Sequence, residues 1–255
     1  MLFERLRRVE PDLDLGPDDR DAVVVLLSST VLLLVFDYWG RPGFYYTSGV
    51  ADWVAQAAGG RFADLAQAGA YMWWGLSSLL WRVLAPLAVG ILVLRWRPAD
   101  LGFRLRGIGA HLPVYALLYA LMLPILVWGS SFRSFLDFYP FYERAGEGGI
   151  GFWVYELGYA LQFVGVEAFF RGFMTFGLAR RFGYLAVPIM TVPYVMIHFP
   201  KPMPEAVAAI LAGLVLGTLA LRSRSFVPGV FLHVAVALTM DLLVLARTGV
   251  LGNLL

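Results

Sequence analysis

Glu167, Arg171 and His198 lie within one long, almost wholly apolar stretch of the sequence, residues 165–204. Burying a carboxylate or an imidazole among apolar side chains costs free energy, so such groups are usually paired or used for chemistry. A carboxylate and an imidazole are the groups that general acid–base catalysis uses most often. The stretch therefore indicates a polar site inside an apolar environment.

The carboxylate belongs to a helix face that carries other side chains able to take part in a site. Glu156, Tyr159, Phe163, Glu167 and Arg171 follow one another at helical spacing and share that face. In one interpretation, Glu167 and Arg171 neutralise each other as a structural ion pair. In the other, Glu167 is a general base that Arg171 holds ionised and oriented, and these residues alone leave both open.

Two of the three histidines lie at depths that suit this site. With a helical rise of about 1.5 Å per residue, Glu167 and His198 lie about 20 Å from the cytoplasmic face, His233 about 10 Å and Asp241 about 22 Å. A carboxylate, an imidazole and a second carboxylate are thus predicted to meet near the middle of a membrane. His111 starts another apolar run and is predicted to lie at the interface.

The composition predicts an all-α, polytopic transmembrane helix bundle. The 255 residues are 60% hydrophobic and only 15% charged, whereas soluble domains carry about a quarter charged residues. The net charge of +2 gives no indication of a nucleic-acid partner, and the lipid bilayer is the expected environment. The absence of cysteine excludes disulfides, thiol nucleophiles and cysteine metal sites.

Uncharged runs predict about seven membrane-spanning helices. They are Ala22–Phe36, Tyr71–Leu94, Ile108–Trp128, Phe152–Leu178, Leu185–Phe199, Glu205–Leu221 and Phe226–Ala246. With this count, the arginine-rich segments fall on one side, namely those around Arg5–Arg8, Arg95–Arg106, Arg180–Arg181 and Arg222–Arg224. The positive-inside rule then predicts a cytoplasmic N-terminus. The expected location is the cytoplasmic (inner) membrane of a bacterium.

The chain divides into four predicted segments without internal repeats. Residues 1–21 form a charged cytoplasmic segment, and 22–151 hold the first helices and their loops. Residues 152–247 form the core that carries the site, and 248–255 form a tail. The first apolar run is expected to be retained as a span, since it lacks the features of a cleaved signal peptide.

Arg82 stands inside the second predicted span. It could snorkel to the interface, pair with a carboxylate or mark an interfacial segment, and the sequence leaves these open. Neither an HExxH zinc motif nor a glycine-rich phosphate loop occurs. A transporter is less well supported, because no pair of broken helices appears in matching halves.

Residues 152–243 resemble the CAAX protease and bacteriocin-processing (CPBP, or Abi) family of intramembrane endopeptidases. The family's first motif, EExxxR, corresponds to residues 166–171, which read VEAFFR. The second, FxxxH, corresponds to Tyr194–His198, and the third, HxxxN or HxxxD, begins at His233. Two positions depart from the pattern: Val166 replaces the first glutamate, and Ala237 replaces the last Asn or Asp, for which Asp241 could substitute.

The resemblance implies an all-α bundle with an internal site that cleaves a membrane-associated protein or peptide. It implies that Glu167 and His198 activate a water, and that His233 stabilises the oxyanion with Asp241 orienting it. The expected supporting residues are Arg171, Asp241, Tyr194 and Glu156. No cofactor is needed in this mechanism, and zinc held by Glu and His is the runner-up. The alternative function is a catalytically degenerate homologue that binds a membrane peptide or partner.

Overall fold

The computed structural model describes residues 16–57 and 63–254, and within these ranges every regular element is a helix. The basic segment around Arg5–Arg8 lies outside the described residues. The first long helix, α1, covers Pro17–Val35 and continues through a wide, π-helical turn at Phe36–Gly40. Proline in its first turn suits the helix start, where no backbone N–H is needed.

Two short helices occupy the segment predicted as a loop after α1. They are α2, Pro42–Thr47, and α3, Val50–Ala57. Helix α4 starts at Ala63–Leu79 and is interrupted by π-helical turns at Leu80–Leu84 and Val89–Val93, with Ala85–Ala88 between them. Such wide turns often accompany functional positions in helices.

The remaining helices build the predicted core region. Helix α5 covers Leu112–Gly129, and the short α6 covers Arg133–Leu136. Helix α7, Gly149–Glu167, runs through a π-helical segment, Ala168–Met174, directly into α8, Thr175–Phe182. Helices α9, α10 and α11 follow at Ala186–Met196, Met203–Ser223 and Val227–Arg247.

Five helices among the described residues are long and apolar enough to cross a membrane. They are Pro17–Gly40, Leu65–Val93, Leu112–Gly129, Met203–Ser223 and Val227–Arg247. The all-α, polytopic membrane architecture predicted from the sequence is therefore confirmed. Two of the seven predicted spans do not meet these criteria, namely those assigned to the α7–α8 helix and to α9.

Both differences have a physical reason. The α7–α8 helix is central, with every residue from 165 to 175 buried, so protein rather than lipid surrounds its polar side chains. Helix α9 has only 11 residues. At about 1.5 Å per residue it is roughly 16 Å long, about half the thickness of the hydrocarbon core.

One end of the bundle gathers the arginine-rich connections. Arg181 pairs with Asp19 at the start of α1, and Ser225 Oγ donates to the backbone oxygen of Arg104 at 2.7 Å. The connections at 95–106, 180–185 and 224–226 therefore lie together at this end, as the predicted topology requires. We call this the basic end of the bundle.

The opposite end is closed by different connections. Arg247 donates to Ser130 Oγ at 2.7 Å, and Asn253 donates to the backbone oxygen of Gly146 at 2.8 Å. The segment 130–148 and the C-terminus of α11 therefore meet here. We call this the aromatic end, because the segment 130–148 contains a cluster of Phe and Tyr rings in mutual contact.

Helices α4 and α7 approach each other closely through small residues. A Cβ atom on Gly158 would lie 2.7 Å from the backbone nitrogen of Met72, and one on Gly165 would lie 3.0 Å from the backbone carbon of Ser78. Small residues permit this backbone contact between membrane helices. The contact holds the middle and the end of α7 against α4 and so positions Glu167 and the residues that follow it.

Candidate active site

An ion pair lies at the junction of α7 and its π-helical continuation. Arg171 Nη1 is 3.2 Å from Glu167 Oε1, and both side chains are fully buried. Spacing of four residues places the two groups on one helix face. The ion pair predicted from the sequence is therefore present, and its partners have no access to solvent.

The guanidinium of Arg171 packs between α9 and α10. Its Cζ lies 3.8 Å from the centre of the Tyr194 ring, and Nη2 donates to the backbone oxygen of Ala212 at 3.4 Å. The aromatic face provides a further favourable contact for the cation. Arg171 thus joins three helices around the carboxylate of Glu167.

His233 approaches the same carboxylate from α11. Its Nδ1 is 2.9 Å from Glu167 Oε1, and because a carboxylate only accepts, we assign the proton to Nδ1. The other oxygen, Oε2, has no hydrogen-bond partner among the described residues and lies against Gly229. A Cβ atom at residue 229 would lie 2.7 Å from Oε2, so glycine is needed for this close approach.

His198 is held differently, by the backbone of α9, which ends two residues before it. His198 is 6% exposed, and its Nδ1 is 2.8 Å from the backbone oxygen of Tyr194. A carbonyl oxygen also only accepts, so Nδ1 carries the proton and Nε2 keeps a lone pair. Tyr194 therefore has two roles: its ring contacts Arg171 and its carbonyl fixes the tautomer of His198.

One cavity of about 300 Å³ brings the two histidines together. His198 and His233 both line it, alongside Gln162 and Val166 on α7. Its other lining residues are Phe36, Arg41, Pro42, Tyr71, Trp74, Arg82, Phe138, Phe141, Tyr159, Phe163, Ile197, Pro200 and Lys201. Glu167 is not a lining residue, since its carboxylate lies behind the imidazole of His233.

This geometry corrects the expected pairing of Glu167 with His198. Among the described residues, the hydrogen bond of Glu167 goes to His233, and that of His198 goes to a backbone carbonyl. The sequence gives the depth of each residue but not the rotation of its helix. The rotation of α11 turns His233, rather than His198, toward the carboxylate.

The expected contact of Asp241 with His233 is not formed, because Asp241 pairs with a different residue. Its Oδ2 accepts a hydrogen bond from the Tyr155 hydroxyl at 2.6 Å, and Oδ1 has no partner in the described structure. Eight residues along a helix correspond to about 12 Å, which is too far for direct contact with His233. Asp241 lies instead near the start of α7.

Glu156 belongs to that same region rather than to the ion pair. It is 9% exposed, and its Oε1 has no hydrogen-bond partner among the described residues. Eleven residues of helix place it about 16 Å from Glu167. A stack of aromatic rings, Tyr155, Tyr159 and Phe163, connects the two regions and ends on the His233 ring at 4.3 Å.

The cavity reaches the aromatic end through Lys201 and its neighbours. Lys201 Nζ is 2.6 Å from Glu205 Oε1, and the Tyr139 hydroxyl donates to Glu205 Oε2 at 2.6 Å. Burial, together with the nearby Tyr159 and the carboxylate of Glu205, raises the pKa of Tyr139 well above its ordinary value. The hydroxyl therefore stays protonated and remains a donor to Glu205.

A comparison of the sequence with family models shows which known proteins this chain resembles. Residues 149–239 match the model described as type II CAAX prenyl endopeptidase Rce1-like. The resemblance to the CAAX-protease family is confirmed. Comparisons with curated proteins and with solved structures gave no match.

The segment that matches the family model runs from the first residue of α7 to the middle of α11. It contains Glu167, Arg171, His198 and His233, and it lies almost wholly within the predicted core, 152–247. Helices α1 to α5 lie outside it, although Phe36, Tyr71 and Arg82 from that region line the cavity. The division of the whole chain into four segments stays a prediction.

The two departures from the CAAX-protease motifs occupy different places. Val166 lines the cavity that His198 also lines, so an apolar side chain occupies the position of the motif's first glutamate. Ala237 is 7% exposed and lines a second cavity, of about 130 Å³, which His233 also borders. The first departure therefore removes a carboxylate from the cavity itself.

Arg82 is the cavity residue whose role the sequence left open. Its side chain is 4% exposed, and its Cζ lies 3.6 Å from the centre of the Phe36 ring. Within the described residues, no carboxylate forms an ion pair with Arg82, and the nearby carboxylate of Asp37 pairs with Arg41 instead. In the sequence, this part of the site is indicated by an arginine in the middle of an apolar span.

The described residues contain no group of three His, Asp or Glu side chains placed to hold a metal ion. In the set considered for zinc, Glu167, His198 and His233, the carboxylate of Glu167 is already shared between Arg171 and His233. What the site offers chemically is two imidazoles on one cavity, each with Nδ1 engaged. Their Nε2 atoms are the groups able to accept or donate a proton.

Proposed function

We propose that this protein is an intramembrane endopeptidase of the CAAX-protease type that hydrolyses a peptide bond without a metal. The observation that carries the proposal is the cavity shared by His198 and His233, with Glu167 and Arg171 buried behind it. The family match over residues 149–239 supports the same activity. The expected substrate is a membrane-associated protein or peptide.

In the proposed reaction, His198 is the general base. Its Nδ1–H donates to the Tyr194 carbonyl, so the Nε2 lone pair can take a proton from a water molecule. The water oxygen bonds to the carbonyl carbon of the peptide, and the carbonyl oxygen becomes an oxyanion. The proton on His198 then passes to the amide nitrogen as the carbon–nitrogen bond breaks.

His233 has the complementary role of stabilising the oxyanion. Glu167 Oε1 accepts a hydrogen bond from Nδ1–H of His233 and so fixes the orientation of the imidazole. In the proposed step, His233 donates to the oxyanion from Nε2 when the imidazole is doubly protonated, the form in which both ring nitrogens are donors. Glu167 therefore acts through His233, rather than by contacting the water. Arg171 keeps Glu167 ionised, since a lone carboxylate would be costly to bury.

A specific observation also favours a second function, that of a catalytically degenerate homologue that binds a membrane peptide or partner. Val166 lines the cavity where the family motif has a glutamate, and it cannot transfer a proton. A cavity with this lining could hold a peptide without cutting it. The two functions differ in turnover, not in binding.

Incubating the purified full-length protein with a peptide library separates the two functions. We expect cleavage that continues in the presence of a metal chelator. Binding without cleavage by the parent protein, together with cleavage by the Val166→Glu variant, would establish the degenerate homologue. Cleavage that stops with chelator and returns with zinc would replace the metal-free mechanism.

We place the protein with its basic end in the cytoplasm, in the inner membrane of a bacterium. The support is the collection of arginine-rich connections at one end of the bundle. Lys201, Phe138 and Phe141 line the cavity from connections at the aromatic end. In this orientation, the substrate enters from the non-cytoplasmic half of the membrane.

A further inference from the structure

The cavity has an uneven charge distribution. Arg41, Arg82 and Lys201 line it, and its described lining residues include no Asp or Glu. Two of these three cations have acidic partners: Arg41 pairs with Asp37, and Lys201 with Glu205. Arg82 is therefore the cation of the cavity without an ion pair of its own among the described residues, since the nearby carboxylate of Asp37 is already paired with Arg41.

The donors of Arg82 are also unused. Its side chain is 4% exposed, and Nε and Nη1 are buried without a hydrogen bond among the described residues. The Phe36 ring below the guanidinium stabilises the charge but accepts none of these N–H groups in their plane. Buried donors without partners are expensive, so their retention indicates a ligand that satisfies them.

The backbone around Arg82 fixes where these donors lie. Arg82 belongs to the π-helical turn Leu80–Leu84 of α4, and Phe36 begins the π-helical turn that ends α1. Eleven residues separate Arg82 from the end of α4 at Val93, which corresponds to about 16 Å of helix. That depth is near mid-membrane and prevents the side chain from reaching either surface.

We propose that Arg82 binds a carboxylate of the peptide that occupies the cavity. A guanidinium presents paired N–H donors that match a carboxylate in two parallel hydrogen bonds. Because His198 and His233 line the same cavity, a peptide anchored in this way has its nearby bonds presented to the histidines. The proposal rests on the proposed function for its ligand class, a peptide.

Two carboxylates are possible in such a ligand, at the C-terminus or on an Asp or Glu side chain. Both have the same chemistry toward Arg82, so three labelled peptides of one apolar sequence distinguish them. One has a free C-terminal carboxylate, one has a C-terminal amide, and one has the amide and an internal glutamate. Their equilibrium binding to the full-length protein in neutral detergent requires no turnover.

We expect the free acid to bind the parent protein roughly 10- to 100-fold more tightly than the amide, as a charged hydrogen-bonded contact provides. In Arg82→Met this difference disappears. The matched control Arg133→Gln removes an exposed cation outside the cavity that already pairs with Asp137, and it keeps the difference. Tight binding of the glutamate peptide would assign the site to side chains instead of the C-terminus.

Folding of the variants is checked separately. Arg82→Met removes an unpaired buried charge, so its unfolding temperature is expected to equal or exceed that of the parent. Should it fail to fold, Arg82→Lys keeps the charge but lacks the paired donors, and a smaller acid-to-amide difference is expected. The comparison of the three peptides on the parent protein tests the inference without any variant.

Equal binding of all three peptides to the parent would overturn the inference. A further outcome is that short-chain phosphatidylglycerol displaces all three peptides equally, with no effect of the peptide carboxylate. This result would assign Arg82 to a lipid phosphate and would also overturn the inference. Acid-dependent binding without hydrolysis would retain the inference and refute the protease. Hydrolysis of the peptides with no dependence of binding on the carboxylate would refute the inference and retain the protease.

Discussion

At the scale of single residues, the site depends on how one carboxylate is shared. Glu167 Oε1 faces both Arg171 on its own helix and His233 on α11. The i,i+4 contact with Arg171 follows from helix geometry, so the sequence predicts it. The contact with His233 depends on the rotation of a second helix, which no local pattern determines.

Because Arg171 neutralises the buried carboxylate of Glu167, we expect its replacement to affect the stability of the fold more than the chemical step. Replacing it in Arg171→Met leaves the Glu167 charge buried without its strongest partner, and we expect a loss of about 3–5 kcal/mol in the free energy of unfolding. Denaturant unfolding in detergent micelles measures this loss.

The double variant Glu167→Gln/Arg171→Met is the matched control. It removes both charges, and we expect it to recover much of the stability lost in the single variant. A double variant as unstable as Arg171→Met alone would show that packing of the guanidinium, rather than the charge pair, stabilises the junction.

At the scale of helices, the site is positioned by close contact between α4 and α7. The apolar runs predict that both helices exist, but not that Gly158 lies against the backbone of Tyr71 and Met72. Glycines in a predicted span have several explanations, and only the packing of two helices distinguishes them. The interruption of the helices by π-helical turns also depends on tertiary contacts and could not be predicted.

A methyl group at Gly158 should separate these helices. Gly158→Ala places its Cβ 2.7 Å from the backbone nitrogen of Met72, and a backbone cannot move aside as a flexible side chain can. We expect a loss of about 1–3 kcal/mol in unfolding free energy, measured in detergent micelles.

Gly109→Ala provides the control for this substitution. A Cβ atom at Gly109 meets nothing within 4 Å, and its backbone is free of the left-handed conformation. Its stability should match that of the parent. Equal effects of the two substitutions would exclude the close approach of α4 and α7.

At the scale of the whole molecule, composition predicts the class of fold, and the arrangement of basic connections predicts its topology. Four of the five helices that meet the length and composition criteria overlap predicted spans almost completely, and α1 extends beyond its prediction at both ends. The central α7–α8 helix is less apolar than expected of a span because protein covers it. Hydropathy describes contact with lipid and therefore underestimates such a helix.

The predicted orientation can be tested with single cysteines, since the chain has none. Gly109→Cys lies in an exposed connection at the basic end, and Ser134→Cys lies in an exposed connection at the aromatic end. In intact cells, a membrane-impermeant maleimide should label Ser134→Cys and leave Gly109→Cys unlabelled. The reverse labelling pattern would invert the topology and the side of substrate entry.

The most direct test of the central claim compares the three histidines in peptide hydrolysis. His198→Ala and His233→Ala should each lower the rate by about 10²- to 10⁴-fold, as expected for loss of acid–base or oxyanion groups. His111→Ala, which changes a histidine that is absent from the cavity lining, should retain the parent rate. Parent-like hydrolysis by His198→Ala or His233→Ala, with folding confirmed, would contradict a shared catalytic cavity.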